Sequence, residues 1–293
     1  MLLPRFDYQR PRDLSEALGL LAQAGDQARP LAGGTDLLVN LKLGKVTCRL
    51  VVDLDGVAEL KDVSGPGEAP SLGALLSAAW LAKQAGGLGL MGLAEAGGVL
   101  GSPQVRNRAT IGGNLCTARP AGDLCTALLA LDARVVLAGA SGRRELPVEQ
   151  FITGPGLTAI APGEILLAAR PAPGATAGGS AFEKLGLRRT MEIALVSAAA
   201  WVQAEPDGKT IRAARVSLGA VGPTPLLAPA AAAALAGQPA GPEAFAAAAS
   251  AAAAAAKPID DHRGSADYRR QMVAVLTRRA LERAWSRALE ATA

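Results

Sequence analysis

Aromatic residues are scarce in this chain: Phe, Tyr and Trp make up 3% of its 293 residues, although half of the sequence is hydrophobic. The core must therefore be built from Ala, Leu and Val. A basic surface interleaved with aromatics, the footprint of nucleic-acid binding, is missing. Histidine occurs once, as His262. The three cysteines, Cys48, Cys116 and Cys125, form an odd set without a CxxC pair. They read as reduced thiols rather than a disulfide framework, and no zinc or iron–sulfur site is expected in the chain. The longest apolar run, residues 244–256, is alanine-heavy and too short to span a bilayer, so no transmembrane segment is expected. The opening Met1-Leu2-Leu3-Pro4-Arg5 stops short of any signal-peptide core, and a cytoplasmic protein is the expectation.

What is present is punctuated and mildly basic, with 34 Gly, 19 Pro and a net charge of +4 from 30 basic and 26 acidic residues. Asp13-Leu14-Ser15-Glu16 is a capping-box pattern opening an amphipathic helix that runs to about Gly25. Strands are expected at 29–31 and 49–53, with a helix at 35–43 between them. Helices at 77–84 and 123–131 and strands at 134–138 and 165–170 follow. Residues 171–179 form a breaker-rich linker. Beyond it lie three antiparallel strands at 181–188, 194–203 and 210–220, then an alanine-rich helical region. A final amphipathic helix at 265–289 reads as a domain-surface element rather than a membrane binder. The domains divide as 1–57, 58–173 and 174–293.

Two glycine-rich turns carry most of the functional signal: Ala32-Gly33-Gly34-Thr35-Asp36 and Thr110-Ile111-Gly112-Gly113-Asn114. Glycine lets the backbone take positive φ and approach a ligand with no Cβ in the way. Successive N–H groups in such turns can converge on an anion, and a helix opening after the turn turns its positive end toward it. Asp123, which could also cap the helix that follows it, would repel phosphate but accepts well from sugar hydroxyls.

With Phe182-Glu183-Lys184 and Glu192-Ile193-Ala194 downstream, these segments fall in an order and spacing that resembles the FAD-binding medium subunits of the molybdenum hydroxylases. The resemblance runs from about Phe6 to Leu289. It implies an α+β chain: a two-subdomain FAD-binding domain of the vanillyl-alcohol-oxidase type, then a C-terminal domain of a three-stranded antiparallel sheet with a helical bundle. It implies FAD-binding roles for Leu31, Ala32, Gly33, Gly34, Thr35, Asp36 and Leu37 on one side of the pyrophosphate. Thr110, Ile111, Gly112, Gly113 and Asn114 supply the other side. Asp123 would bond ribityl hydroxyls, Leu166 make an aliphatic contact, and Lys184 reach the cofactor from the C-terminal domain. Leu100 stands where some members place an aromatic over the flavin ring. Carbon monoxide dehydrogenases carry His-Ser where this chain has Thr35-Asp36, a departure that points away from a CO-oxidising complex.

The implied activity is that of an oxidoreductase subunit. It takes electrons from a [2Fe-2S] subunit and passes them to NAD, a quinone or another acceptor. The molybdopterin cofactor and the iron–sulfur clusters belong on partner subunits, in a dimer of heterotrimers. No residue of this chain need act as general acid or base, and His262 reads as structural. A stand-alone FAD-dependent reductase on the same fold is the alternative. It would want a proton donor beside the flavin, and the sequence offers no convincing Ser/Glu pair. A flavin-free scaffold with vestigial glycine turns is the third reading.

Overall fold

The computed structural model describes residues 2–64, 70–188 and 190–292; Met1 and Ala293, the outer limits of the expected domains, lie outside the described residues. The first unit holds β1 (Asp7–Gln9), α1 (Leu14–Ala24), β2 (Ala28–Leu31), α2 (Leu37–Lys42) and β3 (Leu50–Asp53). Its strands run parallel in the order β1-β3-β2. The Asp13 carboxylate accepts the Glu16 N–H at 2.8 Å and starts α1. Glu16 reaches back to the Arg12 N–H at 2.8 Å, one residue before the cap itself.

The second unit contains β4 (Leu72–Gly73), α3 (Ala78–Gln84), α4 (Met91–Val99), α5 (Pro103–Arg106), α6 (Ile111–Thr117), α7 (Asp123–Ala130), β5 (Arg134–Gly139) and β6 (Gly142–Pro147). The short α8 (Val148–Phe151), the hairpin β7 (Ile152–Gly154) and β8 (Leu157–Thr158), and β9 (Ile165–Arg170) complete it. An antiparallel sheet runs β4-β9-β5-β6.

The third unit is an antiparallel sheet of β10 (Gly179–Leu185), β11 (Val196–Ala204) and β12 (Ile211–Gly219), extended by the two-residue β13 (Leu226–Leu227). The helices α9 (Pro229–Ala233), α10 (Pro242–Ala255) and α11 (Ala266–Thr292) pack with it around a second core. The alanine-rich stretch is thus folded. Close packing continues at α11, where a Cβ on Gly179 of β10 would lie 2.0 Å from the Ala284 carbonyl oxygen.

The aromatic shortage is met as composition dictates. Apart from Phe151, the largest fully buried side chains are Leu and Ile, among them Leu60, Leu93, Ile111, Leu115 and Leu128. Helix α7 reads Leu124-Cys125-Thr126-Ala127-Leu128-Leu129-Ala130 after Asp123, apolar on every side, and each of its residues is buried. It lies between α4 of the second unit and β11 and β12 of the third. Its first residue, Asp123, therefore emerges where the two units meet.

Candidate functional site

The segment after β2 is an open turn. Gly34 has φ 76°, in the region that favours glycine, and α2 starts at Leu37 rather than at Thr35 because Thr35 and Asp36 belong to the turn. Among the described residues, the N–H groups of Gly33, Gly34, Thr35 and Asp36 donate to no protein acceptor. Asp36 occupies the N-cap position of α2 without capping it by its side chain. Successive free donors on a partly exposed turn make an anion nest.

The segment Thr110-Ile111-Gly112-Gly113-Asn114 is built differently from the second donor turn read in the sequence. It is the cap and first turn of α6, and its donors are already engaged. Ile111 N–H bonds the Leu76 carbonyl at 3.0 Å, Gly112 N–H the Ala74 carbonyl at 2.8 Å, and Asn114 N–H the Thr110 carbonyl at 2.9 Å. The Thr110 hydroxyl oxygen accepts the Gly113 N–H at 3.0 Å. A helix N-terminus satisfied by a side-chain cap and by neighbouring carbonyls has few donors left for a ligand. What this segment contributes is closeness: a Cβ on Gly33 would lie 1.8 Å from the Arg108 carbonyl oxygen, so the first turn rests directly on the approach to the second.

Both segments run from one cavity to another. The larger, about 940 Å³, is lined by Asp36, Leu100, Asn114, Asp123 and Lys184. The smaller, about 110 Å³, is lined by Ala32, Gly112, Gly113 and Leu166. Ala32 and Asp36 thus face different hollows at the two ends of one turn, and Gly113 and Asn114 do the same. Gly33, Gly34 and Thr35, with their unclaimed N–H groups, lie in the chain between Ala32 of the smaller hollow and Asp36 of the larger.

Asp123 and Lys184 meet at the larger cavity across the junction of the second and third units. Lys184 Nζ donates to Asp123 Oδ2 at 2.6 Å, with side chains 9% and 6% exposed respectively. Lys184 Nζ also reaches the Val99 carbonyl at 3.4 Å. Asp123 Oδ1 is buried and has no partner. An unsatisfied buried carboxylate oxygen is costly, and a hydroxyl donor would satisfy it. Burial pushes the Asp123 carboxyl up to about 6, against the pull of the Lys184 ammonium. Gly122, not Asp123, takes the N-cap position of α7, so the capping role read for Asp123 is absent.

Leu100 follows α4 and is packed against the cavity, where Arg106 braces the chain by donating to the Leu100 and Gly101 carbonyls at 3.1 and 3.3 Å. Leu31 packs near Gly34, Leu37 opens α2, and Ile111 is fully buried in the core. The side-chain oxygen of Asn114 accepts from Cys125 Sγ at 3.4 Å, a thiol that burial pushes up to about 12. His262 is exposed and lines neither cavity. The sequence reading omitted Arg119, Met191, Lys257 and Arg263, which also line the large cavity. No local pattern marks the last three, because only packing of the third unit against the second brings them there. Among the described residues no cluster of His, Cys, Asp and Glu could hold a metal, and no helix is long and apolar enough to cross a membrane.

The geometry fits a dinucleotide: a bare-amide turn for a diphosphate, an orphaned carboxylate oxygen for a polyol, and a broad cavity for a flat ring. Residues 4–170 match the FAD binding domain in molybdopterin dehydrogenase, and residues 180–284 match the CO dehydrogenase flavoprotein C-terminal domain. The carbon monoxide dehydrogenase medium chain of Hydrogenophaga pseudoflava is 35% identical, over 98% of this chain and 99% of that one. A putative xanthine dehydrogenase FAD-binding subunit of Escherichia coli strain K12 is 29% identical, over 94% and 95% of the two chains. The solved structure of reconstituted CO dehydrogenase from Oligotropha carboxidovorans superposes with a TM-score of 0.91 at 33% identity, covering 98% of this chain and all of that one. The chain belongs to the FAD-binding subunits of the molybdenum hydroxylase family and is an oxidoreductase flavoprotein subunit.

Proposed function

We propose that this chain is the electron-transfer subunit of a cytoplasmic molybdenum-containing hydroxylase or dehydrogenase. It takes electrons from a [2Fe-2S] subunit and delivers them to NAD, a quinone or another acceptor. When bound, FAD supplies a store that fills with single electrons and empties in pairs. The observation that carries the reading is the row of unclaimed N–H groups from Gly33 to Asp36, in a turn that begins at Ala32 on one cavity and ends at Asp36 on another.

In this reading the chain's own residues bind and tune rather than catalyse. The Gly33–Asp36 amides hold the pyrophosphate, while Thr110 and the Gly112-Gly113 pair form the opposite wall. Asp123 Oδ1 accepts a ribityl hydroxyl. Leu166, on the smaller cavity, and Leu100, on the larger, would supply aliphatic contacts to the cofactor. The Lys184 ammonium, held by Asp123 at the larger cavity, would favour negative charge on a flavin bound there and so raise its potential. Substrate oxidation belongs to a molybdenum-binding large subunit, in a dimer of heterotrimers. Support comes from the relatives, one of which is a Cu,Mo-CO dehydrogenase.

The test is native mass spectrometry of the complex with metal analysis, followed by stopped-flow reoxidation of the reduced flavin. A molybdenum chain and an iron–sulfur chain should co-purify, and one acceptor among NAD, quinone and oxygen should reoxidise the flavin fastest. A preparation with hydroxylase activity and no partner chains defeats the proposal.

A further inference from the structure

Lys184 lies on β10, and β10 is the edge strand of its sheet. An edge strand presents outward N–H and C=O groups that need partners. In β10 the Phe182 N–H and the Ser180 carbonyl are met by side chains. Glu95 of α4 accepts the Phe182 N–H through Oε2 at 2.8 Å. Arg287 of α11 donates to the Ser180 carbonyl at 2.6 Å and to Glu95 Oε1 at 2.5 Å. Arg283 pairs with both Glu95 and Glu183. Glu95 thus ties the strand of the third unit to a helix of the second.

The attachment is in register over two turns of α4. Ser180, Phe182 and Lys184 alternate along β10 and meet Gly92, Glu95 and Val99 in turn. Gly92 N–H donates to Ser180 Oγ at 3.0 Å, Phe182 N–H donates to Glu95, and Lys184 Nζ reaches the Val99 carbonyl. Two strand residues advance roughly 6.7 Å and one helical turn roughly 5.4 Å, so successive contacts stay nearly in step. Gly92 permits the close approach, since a Cβ there would lie 3.0 Å from the Ala181 nitrogen. Only the last contact ends in the large cavity. Glu95 itself does not line it.

We propose that Glu95 is a positioning residue for the flavin site: by pairing the outward edge of β10 it holds the Lys184 ammonium against Asp123. This inference rests on the assignment of Lys184 to the flavin. A salt bridge that merely joined the two units would stabilise the fold without influencing the cofactor's affinity or potential. A residue acting through Lys184 influences both, and its effect vanishes once Lys184 is gone.

The experiment uses the full chain, with FAD and stripped of it. In Glu95→Ala the Phe182 amide of the FAD-free chain loses hydrogen-exchange protection. FAD binds about tenfold more weakly, the scale of one lost charge-assisted hydrogen bond. The flavin midpoint potential falls toward that of Lys184→Met. Glu95→Gln keeps an acceptor for the Phe182 N–H and restores most of the affinity. Added to Lys184→Met, Glu95→Ala changes neither affinity nor potential further. Should Glu95→Ala not fold, Glu95→Asp keeps the charge and withdraws its reach, and the same losses are expected. Parent-like affinity and potential in the Glu95 variants overturn the proposal alone, provided Lys184→Met shifts them. An effect undiminished in the Lys184→Met background also overturns it. If Lys184→Met leaves both unchanged, the flavin role of Lys184 falls and the proposal falls with it.

Discussion

Gly33 rests on the carbonyl of Arg108: a Cβ at position 33 would lie 1.8 Å from that oxygen and 2.6 Å from its carbon. The obstacle is backbone, which no rotamer change can clear. This contact brings the free-donor turn against the segment that leads into α6.

Gly33→Ala should therefore damage both the fold and the cofactor site. Overpacking of this kind costs about 1–3 kcal/mol, and separation of the turn from α6 should weaken FAD binding at least about tenfold. Thermal melting and flavin fluorescence titration read the two effects. Gly19→Ala is the control, because a Cβ there meets nothing within 4 Å and the residue lies within α1. It should stabilise the chain by about 0.5–1 kcal/mol and leave FAD binding unchanged.

Thr110 opens α6. Its hydroxyl caps α6 by accepting the Gly113 N–H at 3.0 Å. Thr110→Val keeps the shape and removes the acceptor, at a cost of about 1 kcal/mol. The released Gly113 N–H frays the first turn of α6, and FAD affinity should fall a few-fold. Thr110→Ser should recover both quantities in the same melting and titration measurements.

Asp123 links the site to pH. Its folded carboxyl is raised to about 6 from the ordinary 3.8, chiefly by burial. In the FAD-free chain the folded state then binds a proton that the unfolded state has released. The sign follows: this group's contribution to stability is fully present below the unfolded value and is lost as pH rises through the folded one, between about 4 and 6. Ligand binding runs the other way, because the ionised carboxylate is the better acceptor for a hydroxyl. FAD affinity should thus weaken as pH falls below about 6. In Asp123→Asn both the stability slope and the affinity slope across this window should flatten, as followed by melting and by fluorescence titration at stepped pH.

Much of this arrangement was legible in the residues. The breakers at 171–179 and the apolar runs on either side mark the linker and the strands, because local chemistry decides them. Gly34 gives away its positive φ by its neighbours. The segment at Gly112-Gly113 was half legible. Paired glycines read as a turn, whereas the structure uses them to let α6 settle on the Ala74 backbone; a Cβ on Gly112 would lie 2.9 Å from the Ala74 oxygen. Sequence shows that a Cβ is missing and not which neighbour fills its place. The same holds for Glu95 and Arg287, separated by 192 positions along the chain and joined only by packing.

Gly179 supplies the last test, from the far side of β10. A Cβ there would lie 2.0 Å from the Ala284 carbonyl oxygen and 2.4 Å from the Ala288 nitrogen, so α11 packs straight onto the strand backbone. Gly179→Ala should push α11 outward at a cost of about 1–3 kcal/mol. It should also loosen Arg283 and Arg287, which hang from the displaced helix and hold the edge of β10. Melting temperature should drop, and FAD affinity should fall with it by a smaller factor. Ala284→Gly should fail to rescue, since the blocking atom is a main-chain oxygen that the substitution leaves in place. Rescue by Ala284→Gly would show that side chains rather than backbones set the spacing of helix and strand.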